Sequence, residues 1–140
     1  KRLGIMGGSY GGFMTNWAIG NTTRFAAACS QRSIANWISK CMTTDIGYYF
    51  NMDQLAADPW NSPEKMWAHS PLKYADMAKT PTLFIQSDED YRCWMGDALQ
   101  MFSALKYFGV EARVCLFHGK PKHRIRRMTE MMNWFDKYLK

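Results

Sequence analysis

No stretch of the 140 residues is apolar for long enough to span a bilayer, because the longest hydrophobic runs are short and interrupted. No membrane partner is therefore expected. The chain also lacks an initiator Met, a signal peptide and a leader. Lys1-Arg2 runs straight into Leu3-Gly4-Ile5-Met6, which reads as buried strand, so a fragment of a longer protein is expected. Cysteine is sparse and shows no pairing pattern. Cys29, Cys41, Cys93 and Cys115 form no CxxC motif and have no histidine at ligand spacing. No metal site and no disulfide framework are expected from them, and free thiols of a cytoplasmic protein are. The glycine-rich segment near the start has neither the G-x-G-x-x-G spacing nor the Lys-Ser/Thr of a phosphate cradle, so no cofactor is expected. Repeats, low-complexity tracts and linkers are absent as well.

What remains is the composition of one globular domain, 47% hydrophobic and 21% charged, too short for two domains of ordinary size. The net charge is +6, and much of it lies in Lys120-Pro121-Lys122-His123-Arg124-Ile125-Arg126-Arg127. Such a cluster suits phosphate contacts. However, Ile125, Met128, Met131 or Met132, Phe135 and Leu139 recur at helical spacing through and beyond it. That pattern makes the basic residues the solvated face of an amphipathic helix, and no nucleic-acid partner is expected.

Along the chain, strand and helix signals alternate. Leu3–Gly7, Phe25–Ser30, Thr82–Gln86 and Val110–Phe117 read as strands. Phe13–Ile19, part of Ser33–Asn51, a short helix opened by Pro63, Trp94–Phe108 and the final segment to Lys140 read as helices. This predicts an α/β architecture, a parallel sheet with crossover helices on both faces. Chemistry in such sheets sits at the carboxyl ends of the strands. The segments to watch are therefore Gly7–Gly12, Ser87–Cys93 and His118–His123.

Gly7-Gly8-Ser9-Tyr10-Gly11 fits G-x-S-x-G between a strand and a helix. By chance the bare pattern occurs in roughly one chain in twenty of this length, so the flanking elements carry the assignment. At such an elbow the serine takes a strained conformation, and bulkier residues two positions either side would collide with neighbouring elements. The turn aims the Tyr10 amide at a developing oxyanion. A serine nucleophile needs a base and an orienting acid, which follow later strands in this topology. Asp88 and Asp90 both suit the acid. Of the three histidines, His69 has a structural setting, whereas His118 and His123 lie near the right loop without a clear placement.

Gly4 to Thr15, Ser70-Pro71-Leu72, Thr80 to Arg92 and Gly119 to Arg124 together resemble the prolyl oligopeptidase family of serine peptidases, in particular its acylaminoacyl-peptidase branch. The resemblance implies the C-terminal portion of an α/β-hydrolase fold, with Ser9 as nucleophile, Asp90 rather than Asp88 as the acid, and Tyr10 as one oxyanion-hole donor. It implies a peptide substrate, short or N-acylated; carboxylesterase and dipeptidyl-peptidase specificities use the same triad. Two features depart from the family. Its G-E-N-H-type loop after the last strand, which holds the base, has no counterpart here, because Gly119 leads directly into the segment that follows that loop. Either the loop is deleted or residues are omitted from the sequence at that point. The earlier strands, an H-G-G-type oxyanion segment and an N-terminal β-propeller are not in this stretch either. Negligible activity of these residues alone is expected, and a homo-oligomer formed through an exposed Leu3–Gly7 strand edge is the non-catalytic alternative.

Overall fold

The computed structural model describes residues 2–120 and 122–140. Four strands, β1 (Gly4–Gly8), β2 (Ala27–Gln31), β3 (Thr82–Ser87) and β4 (Ala112–Phe117), form a parallel sheet in the order β1-β2-β3-β4. The register pairs Gly4 with Ala27, Ala28 with Thr82, and Thr82 with Ala112. Six α-helices connect or follow the strands: α1 (Tyr10–Asn21), α2 (Trp37–Thr43), α3 (Gly47–Leu55), α4 (Pro63–Ala68), α5 (Met95–Tyr107) and α6 (Arg124–Leu139). A 3₁₀ helix over Pro71–Met77, opened by Pro71, leads into β3.

Alternation along the strands sorts the core into two layers, as the period of two requires. Ala28 and Phe84 face Ile19 of α1 and Met101 and Leu105 of α5. Ala27, Cys29, Leu83 and Ile85 face Met131 and Trp134 of α6. The sheet is thus covered on both faces, and β2 and β3 are buried along their whole length. The small residues of β2 let helices approach from both sides. Gly109, with φ of 75°, turns the chain at the end of α5 as its position predicts.

β1 lies at one edge of the sheet, with Met6 55% exposed. α6 differs from the sequence reading. Met131 is buried and Phe135 and Leu139 are packed against the core, but Ile125 is 86% exposed, and Met128 and Met132 also face solvent. Burial on this helix begins at Glu130, so its first turn presents apolar and basic residues alike to solvent. Glu130 is itself buried and pairs with Arg126 at 2.8 Å and Arg113 at 3.0 Å, so it neutralises part of the basic cluster. Pro121, within that cluster, lies outside the described residues. No helix among the described residues is long and apolar enough to cross a membrane.

Candidate active site

β1 ends at Gly8 and α1 begins at Tyr10, so Ser9 alone makes the turn. Its φ of 59° and ψ of −120° are sparsely populated for a residue with a side chain and cost on the order of 1–3 kcal/mol. The surroundings hold it there. The Ser9 N–H donates to the Gln31 carbonyl at 3.0 Å, and the Ser9 carbonyl accepts from the Phe13 N–H at 3.0 Å. Ser30 Oγ donates to the Gly12 carbonyl at 3.3 Å. Tyr10 is the first helical residue, so its N–H has no acceptor within α1 and is free to meet an anion at the positive end of the helix dipole.

The glycines do not act as a symmetric pair. A Cβ on Gly7 would overlap the Gly11 carbonyl, whereas one on Gly11 would meet nothing within 4 Å. The crowded position after the serine is Gly12, where a Cβ would lie 2.6 Å from the Gln31 oxygen. The reading that bulk is excluded two residues either side of Ser9 therefore holds on the strand side only. On the helix side the close approach to β2 falls one residue later.

Asp90 follows β3 and is 7% exposed. Its Oδ1 accepts from the Arg92 N–H at 3.1 Å and the Cys93 N–H at 2.9 Å, which fixes the carboxylate within its turn. Asp88 is engaged elsewhere. Its Oδ2 accepts from His118 Nδ1 at 2.8 Å, and its Oδ1 from the Gly119 N–H at 2.6 Å. The hydrogen bond from His118, reinforced by the Gly119 amide, holds the Asp88 carboxyl below its usual range, and the same contact raises His118. The His118 side chain is nevertheless 93% exposed. His123 occupies the position before α6 without a side-chain capping bond, stacks on Phe117 at 4.9 Å and donates from Nε2 to the His118 carbonyl at 3.1 Å. His69 bonds the Lys65 carbonyl at 2.8 Å at the end of α4, the structural role its context indicates. None of the three is hydrogen-bonded to Ser9 or Asp90 among the described residues.

Strand spacing explains why. A base serving both Ser9, after β1, and Asp90, after β3, must hang over the end of β2. Neighbouring strands lie about 4.8 Å apart, so a loop leaving β4 must reach back roughly 10 Å. Only residues 118–123 separate β4 from α6, and Asp88 and Glu89 bond His118 and Gly119 at the mouth of β4. The hydroxyl's neighbour is instead the buried Cys93, with Sγ 3.9 Å from Ser9 Oγ. Burial pushes the Cys93 thiol up, so it stays protonated and cannot serve as the base. Sequence reading treated Cys93 only as a buried thiol, because nothing local to it marks a contact 84 residues away.

Ser9 and Tyr10 also line a cavity of about 330 Å³, the size of a small-ligand pocket. Ile34, Ile46 and Phe50 give it apolar walls, and Lys40, Arg92 and Cys93 polar ones. The cavity exists because α2 and α3 fold back over α1. Trp37, fully buried, packs on Phe13 at 5.2 Å and on Phe50 at 6.1 Å. Asn16 ties α1 to Ser33 and Ile34, and Asn51 ties α3 to the Trp37 carbonyl. No group of three His, Cys, Asp or Glu side chains among the described residues could hold a metal ion.

The His118–Asp88 contact is pH-dependent. His118 is raised and Asp88 lowered, so the ion pair is present between the two values. It is lost as pH rises through the elevated His118 pKa, and again at low pH as Asp88 protonates. An NMR titration should place His118 above its ordinary 6.5, and Asp88→Asn should bring it back down. An unshifted His118 in the unaltered chain would show that the pair does not form.

Residues 1–140 match the prolyl oligopeptidase family. The chain is 47% identical to the uncharacterized peptidase YuxL of Bacillus subtilis, covering 99% of this chain and 22% of that protein. It is 29% identical to the acylamino-acid-releasing enzyme of Arabidopsis thaliana, covering 100% and 20%. It superimposes on the acylaminoacyl peptidase of Pyrococcus horikoshii with a TM-score of 0.93 and 35% identity, over 99% of this chain and 24% of that one. The parallel sheet with its helices is thus a portion of the α/β-hydrolase fold of that enzyme. The chain spans about a fifth of the length of the curated relatives it matches. The alignment with the Bacillus protein runs over 148 residues against 140 here, so at least eight of its positions face gaps in this chain.

Proposed function

Because the chain belongs to the prolyl oligopeptidase family, we propose that it is the nucleophile-bearing part of a serine peptidase that acts on short or N-acylated peptides through an acyl-enzyme on Ser9. The observation that carries this reading is the backbone of Ser9, a non-glycine residue at positive φ on a one-residue turn, held by contacts from both flanking elements. Strain of this kind persists where the rest of the fold over-determines it. In the reaction Ser9 Oγ attacks the acyl carbonyl, the Tyr10 N–H donates to the oxyanion, and collapse breaks the C–N bond to release the amine. Asp90, buried and held by two amides, takes the role of the orienting acid. The base that would carry the serine proton to the leaving amine is the member not found among the described residues, and the short 118–123 loop supports its loss by deletion. Four free cysteines support a reducing, cytoplasmic setting for the protein.

The reading is tested with a fluorophosphonate on a longer protein that carries this stretch. The adduct is expected on the peptide containing Ser9 and is lost in Ser9→Ala. Labelling at another serine, or none at all, would refute the assignment.

A further inference from the structure

We propose that Lys40 makes the cavity beside Ser9 a receptor for an acidic side chain, so that the acyl residue presented to Ser9 is glutamate or aspartate. The inference rests on the reading of Ser9 as nucleophile only for the words "acyl residue"; the binding preference itself stands on Lys40.

Lys40 sits on α2, 1% exposed, and lines the cavity together with Ser9. An ammonium carries three N–H donors. Among the described residues Lys40 Nζ makes one hydrogen bond, to the Arg92 carbonyl at 2.9 Å, and lies over the Phe50 ring at 5.5 Å. Neither partner is a counter-ion, and none of the ion pairs among the described residues includes Lys40. The other cation of the cavity is already matched, because Arg92 closes on Asp45 with two bonds at 2.7 and 2.9 Å. Asp97 feels the Lys40 charge, but its Oδ1 accepts from the Ala35 and Asn36 amides. A buried ammonium held in no ion pair is unfavourable for folding, and the two carboxylates that feel its charge are engaged by other donors, Asp45 by Arg92 and Asp97 by the Ala35 and Asn36 amides.

The same features suit an incoming anion. The apolar walls of Ile34, Ile46 and Phe50 keep the local dielectric low, which strengthens attraction to a carboxylate. A volume of about 330 Å³ admits a glutamate side chain. One cation outside any ion pair, with Arg92 already closed on Asp45, fits a single carboxylate, whereas a phosphate group calls for several donors. A neutral side chain would leave Lys40 as uncompensated as it is in the empty cavity.

The test reads binding and not turnover, so an unreactive Ser9 leaves it intact and the two readings fail separately. The 140-residue chain is titrated with N-acetyl-glutamate methylamide and with the isosteric glutamine compound, following the amide signals of Tyr10, Phe50 and Cys93. The glutamate compound is expected to bind about tenfold more tightly, the size of one charge-assisted hydrogen bond. Lys40→Gln keeps a donor for the Arg92 carbonyl while removing the charge, and Lys40→Met removes both. In either variant the preference is expected to vanish while the spectrum of the folded chain remains. Equal binding of the two compounds by the unaltered chain would overturn the proposal, as would a preference that survives in a folded Lys40→Gln.

Discussion

The 140-residue chain is expected to hydrolyse N-acyl-peptide substrates at a rate roughly 10⁶-fold below that of a serine peptidase with a complete triad, the loss seen when the base alone is removed. The deficit follows from the missing base rather than from a damaged elbow. Ser9 keeps its strained turn, the Tyr10 amide is unspent at the start of α1, and Asp90 is held by two N–H groups. What is missing among the described residues is a basic partner for Ser9 Oγ, whose hydrogen-bond neighbour is the Cys93 thiol, pushed up by burial. His118→Ala should therefore leave the residual rate unchanged, because that ring is committed to Asp88 beside β4, at the opposite edge of the sheet from Ser9. Free imidazole, small enough to enter the space a base would occupy, should raise the rate of activated-ester hydrolysis in the unaltered chain but not in Ser9→Ala. Steady-state assays with and without imidazole decide the matter. Ordinary peptidase turnover without imidazole, or a collapse of the rate in His118→Ala, would mean that a base is already in place.

How much of this was legible in the residues depends on the range of the interaction. The parallel α/β sheet could be read because each strand and helix announces itself through its own period and its own Gly or Pro boundary, as Thr82–Ser87 and Gly109 do. The elbow could be read because its geometry is built from residues within a few positions of Ser9. The choice of Asp90 over Asp88 rested on a resemblance, because the two carry the same side chain two residues apart; in the fold Asp88 turns to His118 while Asp90 folds back on Arg92 and Cys93. Cys93 and Lys40 were missed for one shared reason. Each reaches the Ser9 cavity from an element far along the chain, and a side chain's contact across 31 or 84 positions leaves no mark in its neighbours. A lysine inside the run Trp37-Ile38-Ser39-Lys40-Cys41-Met42 was the one available hint. The exposed start of α6 was misread for the opposite reason, since a regular apolar period says which face can be buried but not where along the helix the sheet begins.

Gly7→Ala and Gly11→Ala should have opposite effects on stability, although both replace a glycine of the same motif. At Gly7 the new Cβ overlaps a backbone carbonyl, that of Gly11, and neither strand nor helix can yield without displacing Ser9. A cost of about 3 kcal/mol, at the upper end for overpacking, is expected, and at this chain length it lowers Tm by roughly 10 °C. At Gly11 the Cβ enters open space within α1, and replacing glycine by alanine in a helix gains up to about 1 kcal/mol. Gly12→Ala should resemble Gly7→Ala, because the Gln31 carbonyl and Ser33 Cβ, at 2.6 and 2.7 Å, belong to β2 and the segment that continues it. Ser9→Gly provides the control for strain. It removes the side chain from a φ of 59° and should stabilise the fold while removing the proposed nucleophile. Thermal unfolding of the four variants separates two accounts of the elbow. If Gly11→Ala is as damaging as Gly7→Ala, the glycines serve the turn symmetrically. If only Gly7 and Gly12 resist substitution, the turn is set by β1 meeting the first turn of α1 and by α1 pressing on β2, and Ser9 is strained because those two contacts leave its backbone no other path.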